Sequence, residues 1–329
     1  MITIAVWGNM IVMVTNRVKI NELFEKLQRE PLYFVTESEH TFEIKMIRKW
    51  YKFKNILLCV MIVAMIIAVD FQIAYFVVLR FRKPDSKDWR LGYGTVSIVN
   101  TTYSPNFEIV MVHQSISLFY GSTLGIVCIV IICSVLNYIT MQYKILQNNL
   151  KTMLPKAKEK MIQENSDNAY KYLGEEIKNF IIYHNYVTKI AKEAVEIFGK
   201  AIFGIFCGTL GVVSVDIYRA SLIPTGDISS VSIFGETLTA LFATFIICMS
   251  GEIMVHESEQ ISRVAYEIDF VGTDLRFQKS LLFIMGQAQK SVPLKAEKLV
   301  SISLLTVTSI LRASYSAYAM LKSTNDSNL

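Results

Sequence analysis

Charge is scarce in this chain. Asp, Glu, Lys and Arg make up only 19% of its 329 residues, against roughly a quarter in a soluble globular domain. With 52% hydrophobic residues and a mean hydropathy of +0.38, that balance argues against a water-soluble core. Cysteine is also sparse. Cys59, Cys128, Cys133, Cys207 and Cys248 all fall inside apolar blocks without a CxxC pair or metal-ligand spacing, and they read as structural thiols behaving as small buried hydrophobes. The four histidines, His40, His113, His184 and His256, are scattered. There is no Gly-rich phosphate loop, Ser/His/Asp arrangement or zinc pattern, so neither enzymatic activity, nor a cofactor, nor a metal is expected. The net charge of +5 forms no basic stripe with interleaved aromatics, and nucleic acid is not an expected partner.

What is present comes in long apolar runs. Five blocks, 55–79, 117–142, 197–220, 231–255 and 298–321, reach the roughly 20 residues that cross a bilayer. A sixth, residues 1–15, carries no charge but at 1.5 Å per residue covers about 22 Å, short of a hydrocarbon core of about 30 Å. A signal peptide fits it poorly: no basic stretch precedes it, and Asn16-Arg17 follows where small residues would be cleaved. It reads as the inner half of a helix, with a short interfacial or re-entrant segment as the alternative. The expectation is one all-α transmembrane domain, 1–329.

Orientation follows from Lys and Arg. Residues 16–54, 143–196 and 256–298 hold nine, nine and six of them, while the opposite side holds seven: Arg80, Arg82, Lys83, Lys87, Arg90, Arg219 and Lys322. The basic side is expected in the cytosol. Both N-x-[ST] sequons, at Asn100 and Asn325, then fall outside, where glycosylation is possible. An inward N-terminus for the intact protein requires one complete span before Met1, seven in all.

The inner segments carry their own helical patterns. From Leu173 to Phe198 apolar residues recur at helical spacing and run into the 197–220 block. Pro155 and the polar run 163–168 before it read as a loop. A second inner helix is expected from about Ser258 to Gln289, with Leu275, Leu281, Leu282, Met285 and Ala288 on one side. Such stripes either pack on each other or form an assembly platform between subunits.

Ionisable groups inside spans are costly and point inward or to water. Asp70, Asp216, Glu236 and Arg312 are of this kind, with Asp216 and Glu236 near enough to a span end for snorkelling. The last block is rich in hydroxyls, from Ser301 to Ser316, and holds Arg312, Tyr315 and Tyr318. Hydroxyls at this density suit a helix that lines water, or one bonded to packed neighbours.

The region 251–322 adds a more specific signal. Ala265-Tyr266, the run Gln278 to Met285, the turn Gln289-Lys290-Ser291-Val292-Pro293-Leu294 and Ser314-Tyr315-Ser316 occur in this order, and the ordered set resembles the C-terminal part of insect odorant receptors. Phe270 stands where that family often has Trp. The resemblance implies a seven-helix insect odorant receptor-type bundle with cytosolic helical extensions, here lacking the first span and part of the second. It also implies an odorant-tuning subunit in the plasma membrane of a sensory dendrite, joined to the shared co-receptor in a heterotetrameric cation channel opened by small volatile organics. On that reading Asp70, Ala74, Phe119, Tyr120, Thr123, Phe234 and Thr237 contribute to an outer ligand pocket. Arg312, Ser314, Tyr315, Tyr318 and Lys322 belong to the pore and gate. A gustatory receptor-type channel subunit and a non-functional receptor fragment are the alternatives. A transporter, which calls for internal repeats and broken helices, is the more distant one.

Overall fold

The computed structural model describes residues 2–28, 37–82, 103–164, 169–222, 228–289, 294–297 and 299–326. Eight helices carry nearly all of them: α1 (Ile2–Thr15), α2 (Arg17–Gln28), α3 (Glu37–Arg82), α4 (Asn106–Gln163), α5 (Ala169–Leu222), α6 (Ile228–Glu267), α7 (Leu275–Ala288) and α8 (Leu304–Asp326). A two-stranded antiparallel hairpin, β1 (Lys295–Ala296) with β2 (Val300–Ser301), precedes α8.

Among the described residues, α3, α4, α5 and α6 contain stretches long and apolar enough to cross a membrane. These helices are much longer than a bilayer needs. At 58 residues α4 runs for about 87 Å, nearly three times the hydrocarbon thickness. The apolar blocks expected from sequence lie in the middle or toward one end of each helix. The basic segments continue the same helices past the end taken here as inner, from the positive-inside pattern.

Burial is distributed unevenly along that axis. Toward the inner end Tyr143, Leu146, Leu150 and Met153 of α4, Phe180, Ala191 and Ala194 of α5, and Ile261 and Ala265 of α6 are all completely enclosed. Toward the outer end Ile109, Val112, Ile116 and Phe119 of α4 and Phe234, Leu238 and Phe242 of α6 are exposed. Apolar groups in an aqueous layer gain about 1.5–3 kcal/mol each from being enclosed, whereas in lipid they are already in an apolar solvent. The core therefore fills the inner halves of the spans, with Ile132, Leu136, Ile202 and Ile247, and continues into the helical extensions.

Two local expectations are revised. Pro155 lies inside α4 and does not end it: Pro155 and Lys151, whose carbonyl loses its bond, are both exposed, so water satisfies the freed group. Of the polar run 163–168, residues 165–168 lie outside the described residues. The single inner helix expected from 258 to 289 is two helices. The chain leaves α6 at Glu267, turns through Gly272 at φ 82, and restarts at α7, where the Asp274 carboxylate accepts from the Arg276 amide at 2.7 Å as an N-cap. Phe277, Leu281, Ile284 and Ala288 form the buried stripe of α7, while Leu275 and Leu282 face away.

The last helix starts at Leu304 rather than near residue 298, because β1 and β2 and the residues 302–303 that leave them precede it. That hairpin is wedged between α5 and α6 at two glycines. A side chain at Gly199 would meet the Glu297 amide at 3.4 Å, and one at Gly251 would lie 2.6 Å from Ile302 Cγ2. Glu252 of α6 then accepts the Leu304 amide at 2.7 Å, capping α8 from a neighbouring helix.

Candidate ligand site and pore face

The residues expected at an outer pocket divide into three groups. Phe119 and Tyr120 on α4 touch edge to face, with centroids 6.1 Å apart. Both are exposed, as is Phe234 on α6. Thr123, one turn below Phe119, reaches Met65 Sδ of α3 at 3.5 Å and donates to the Phe119 carbonyl at 2.8 Å. Asp70 and Ala74 do not join them. They lie on the exposed stripe of α3 that also carries Ile56, Val63 and Ile67, opposite the Met46, Leu57 and Met61 face that packs inward.

Thr237 belongs to a polar network between α5 and α6. Its hydroxyl donates to Asp216 Oδ2 at 3.0 Å, and Arg219 Nη1 lies 3.3 Å from both Asp216 Oδ1 and Glu236 Oε2. Asp216 is buried; it does not snorkel to a span end but is held between two partners. A buried carboxylate needs such pairing. Asp216 and Arg219 are spaced i,i+3, the one signal of this contact visible in sequence.

The residues expected at a pore separate by face. Ser314 is fully buried and donates to the Leu210 carbonyl of α5 at 3.3 Å. With Thr306 and Ile310 it forms the packed side of α8, so its hydroxyl serves helix packing and does not line water. Thr308, Arg312, Tyr315, Ala319 and Lys322 recur every three or four residues on the opposite side, all exposed. Tyr318 is half-buried, its ring centroid 6.0 Å from that of Tyr315. Asn325 falls in the last turn of α8, and Asn100 lies outside the described residues.

A tyrosine cluster at the inner end of α2 has no counterpart in the sequence reading. The Tyr138 hydroxyl of α4 donates to the Leu27 carbonyl at 2.9 Å and the Tyr186 hydroxyl of α5 to the Lys26 carbonyl at 2.7 Å. The two rings thus cap carbonyls at the end of α2. Lys26 pairs with Glu193 at 2.6 Å, and Tyr183 bonds to Gln142. They surround a cavity of about 30 Å³, enough for one water-sized group. A more open groove of about 550 Å³ runs between Lys151 and Lys158 of α4 and the end of α6. His184 of α5 stacks on Phe180 at 6.1 Å with the rings 8° from parallel.

Long apolar helices, paired intramembrane charges and a shared core running from the inner halves of the spans into the extensions define a multi-pass helical membrane protein. The family model described as "7tm Odorant receptor" matches residues 1–315, and the chain belongs to that family. Odorant receptor 67a of Drosophila melanogaster is 31% identical over 85 residues, 26% of this chain and 21% of that protein. Odorant receptor 85c of the same species is 24% identical over 140 residues, 43% of this chain and 36% of that protein. The aligned segments span well under two thirds of either relative. In three dimensions the chain is similar to the insect olfactory receptor OR5 from Machilis hrabei. The TM-score is 0.79 at 10% identity, covering 98% of this chain and 78% of that one, for the structure in complex with eugenol. For a second structure of OR5 it is 0.78 at 12% identity, covering 97% and 78%. The shared fold is that of an insect odorant receptor, as the ordered motifs between Ala265 and Ser316 implied.

Proposed function

We propose that this chain is an odorant-tuning subunit of a ligand-gated cation channel in the plasma membrane of sensory dendrites, assembled with the shared co-receptor as a heterotetramer. The observation that carries this reading is the division of α8. Its Thr306–Ile310–Ser314 side packs on the chain's own bundle, while Thr308, Arg312, Tyr315 and Lys322 stand exposed. An arginine within an apolar span belongs next to water or protein, and a central pore between subunits supplies both. Tyr318 and Lys322, near the outer end of α8, sit where a gate would close.

Assembly draws support from α7. Leu275, Leu282 and Phe283, with Tyr266 and Val271 before them, are exposed on the extension side of the bundle, where apolar groups in water gain from a partner surface. The outer ends of α3, α4 and α6 are the proposed odorant region, with Phe119, Tyr120, Thr123, Phe234 and Thr237 contributing. Aromatic surface with a few hydroxyls suits small volatile organics, of which eugenol, bound by Machilis hrabei OR5, is one to include in a panel. Asp70 and Ala74 face away from the other five and are left out of this set. Asn100 and Asn325 are proposed glycosylation sites.

The test is co-expression with the co-receptor in heterologous cells. A volatile-evoked cation current is expected from the pair and none from this chain alone. If both subunits reach the surface and no volatile in a broad panel opens a conductance, the receptor reading fails. Arg312→Ala is expected to change conduction or block assembly. Unchanged currents and surface levels would remove Arg312 from the pore.

A further inference from the structure

The inner end of α3 combines three features that the receptor reading leaves unused. First, Lys45, Arg48, Lys49 and Lys52 are spaced i, i+3, i+4, i+7, so they share one face of the helix over about 10 Å. All four are exposed, and among the described residues none makes an ion pair. Two other inner lysines are paired within the chain, Lys144 with Glu257 at 3.3 Å and Lys160 with Glu176 at 2.7 Å. Glu43, the only acid between Thr41 and Asn55, is half-buried on the side that carries Met46 and Trp50.

Second, the same face continues without rotation into the apolar span. Ile56, Val60, Val63 and Ile67 follow Lys52 on that stripe and are exposed. The boundary between cations and hydrocarbon-facing side chains falls at Asn55. A phospholipid has the matching layout, with anionic headgroup and acyl chain joined at the same depth.

Third, the face is held in place. Trp50 Nε1 donates to the Ser134 carbonyl of α4 at 2.9 Å, its ring meets Tyr138 edge to face at 5.4 Å, and Lys54 covers the Trp50 and Tyr51 rings at 5.3 and 4.8 Å. These contacts fix the rotation of α3 about its axis, and so the direction in which the four cations point.

We propose that the inner end of α3 is a binding site for a phosphoinositide of the inner leaflet. Its headgroup phosphates engage Lys45, Arg48, Lys49 and Lys52, and its acyl chain lies along Ile56, Val60 and Val63. Clustered phosphomonoesters match four cations on one face better than the single net charge of phosphatidylserine does. The inner leaflet is assigned from the positive-inside orientation. Binding in micelles does not depend on that orientation, so the site and the topology fail separately.

The experiment uses the purified 329-residue chain in detergent. Native mass spectrometry follows titration with short-chain phosphatidylinositol bisphosphate, phosphatidylserine or free inositol trisphosphate. One bisphosphate lipid retained per chain is expected, with phosphatidylserine and the free headgroup binding more weakly. The combined change Lys45→Gln, Arg48→Gln, Lys49→Gln and Lys52→Gln should weaken binding by roughly tenfold or more. A second variant, Lys45→Arg, Lys49→Arg and Lys52→Arg, keeps the charge and should keep the binding, which separates loss of the site from loss of the fold. The equally exposed Lys151, Lys158, Lys178 and Lys189, changed together to Gln, should leave affinity within about twofold, since cations remote from a bound headgroup are screened. Four results would each overturn the proposal: no lipid retained, equal affinity for phosphatidylserine, equal affinity for the free headgroup, or an equal loss in the remote lysine variant.

Discussion

The hydroxyls of Thr209 on α5 and Thr244 on α6 meet at 2.7 Å, both buried. Thr244 also donates to the Ala240 carbonyl at 3.1 Å, which leaves its oxygen to accept from Thr209. Between membrane helices such a bond contributes about 0.6 to 2 kcal/mol. Thr244→Val should therefore lower the free energy of unfolding in detergent by that order, because it leaves the Thr209 hydroxyl without this partner. Changing both residues to Val should recover part of the loss. A fully additive double variant would show that the two hydroxyls are not coupled.

Gly251 is the point at which the hairpin before α8 touches α6. An added methyl would lie 2.6 Å from Ile302 Cγ2 and 3.2 Å from the Ile302 carbonyl, so Gly251→Ala should cost about 1–3 kcal/mol by overpacking. The cost should be smaller in an Ile302→Ala background, where the nearer atom is gone. Thermal unfolding of the four proteins closes that cycle. An equal cost in both backgrounds would mean that Ile302 is not what the methyl strikes.

The Asp216–Arg219–Glu236 network predicts an asymmetry between deletions. Arg219→Leu removes the cation from two carboxylates, one of them buried, and should destabilise by about 3 kcal/mol. Adding Asp216→Asn should restore much of that loss, since a neutral amide still bonds to Thr237 without needing a countercharge. If Arg219→Leu is silent in an unfolding assay, the network does not join the two helices.

His184 gives the protein a response to acid. Burial beside Phe180 holds its imidazole below its ordinary pKa, so the unfolded chain takes up a proton that the folded chain resists. The stability involved is fully present above about pH 6.5, the unfolded value, and is lost as pH falls from there through the lower folded value. His184→Phe should reduce the drop in unfolding midpoint between about pH 7.5 and about pH 5.5. An unchanged drop would assign the acid response to other groups.

The run of apolar blocks and the count of Lys and Arg were enough to read this chain as a multi-pass helical membrane protein. The ordered signature from Ala265 to Ser316 was enough to indicate its family. These features are local: length, charge and short motifs survive without knowing what packs on what. The tertiary structure decided which side of each helix faces inward. In a membrane helix the lipid-facing and protein-facing sides are both apolar, so composition does not reveal rotation about the axis. That is why Ser314 and Arg312 read alike on the page and lie on opposite sides of α8. It is also why Asp70 reads as an inward group yet faces away from α4. Pro155 and the 258–289 segment were misread for a related reason. A helix break depends on whether water or a cap can satisfy the freed backbone groups, and only the fold shows that Lys151 is exposed and that Asp274 starts a new helix.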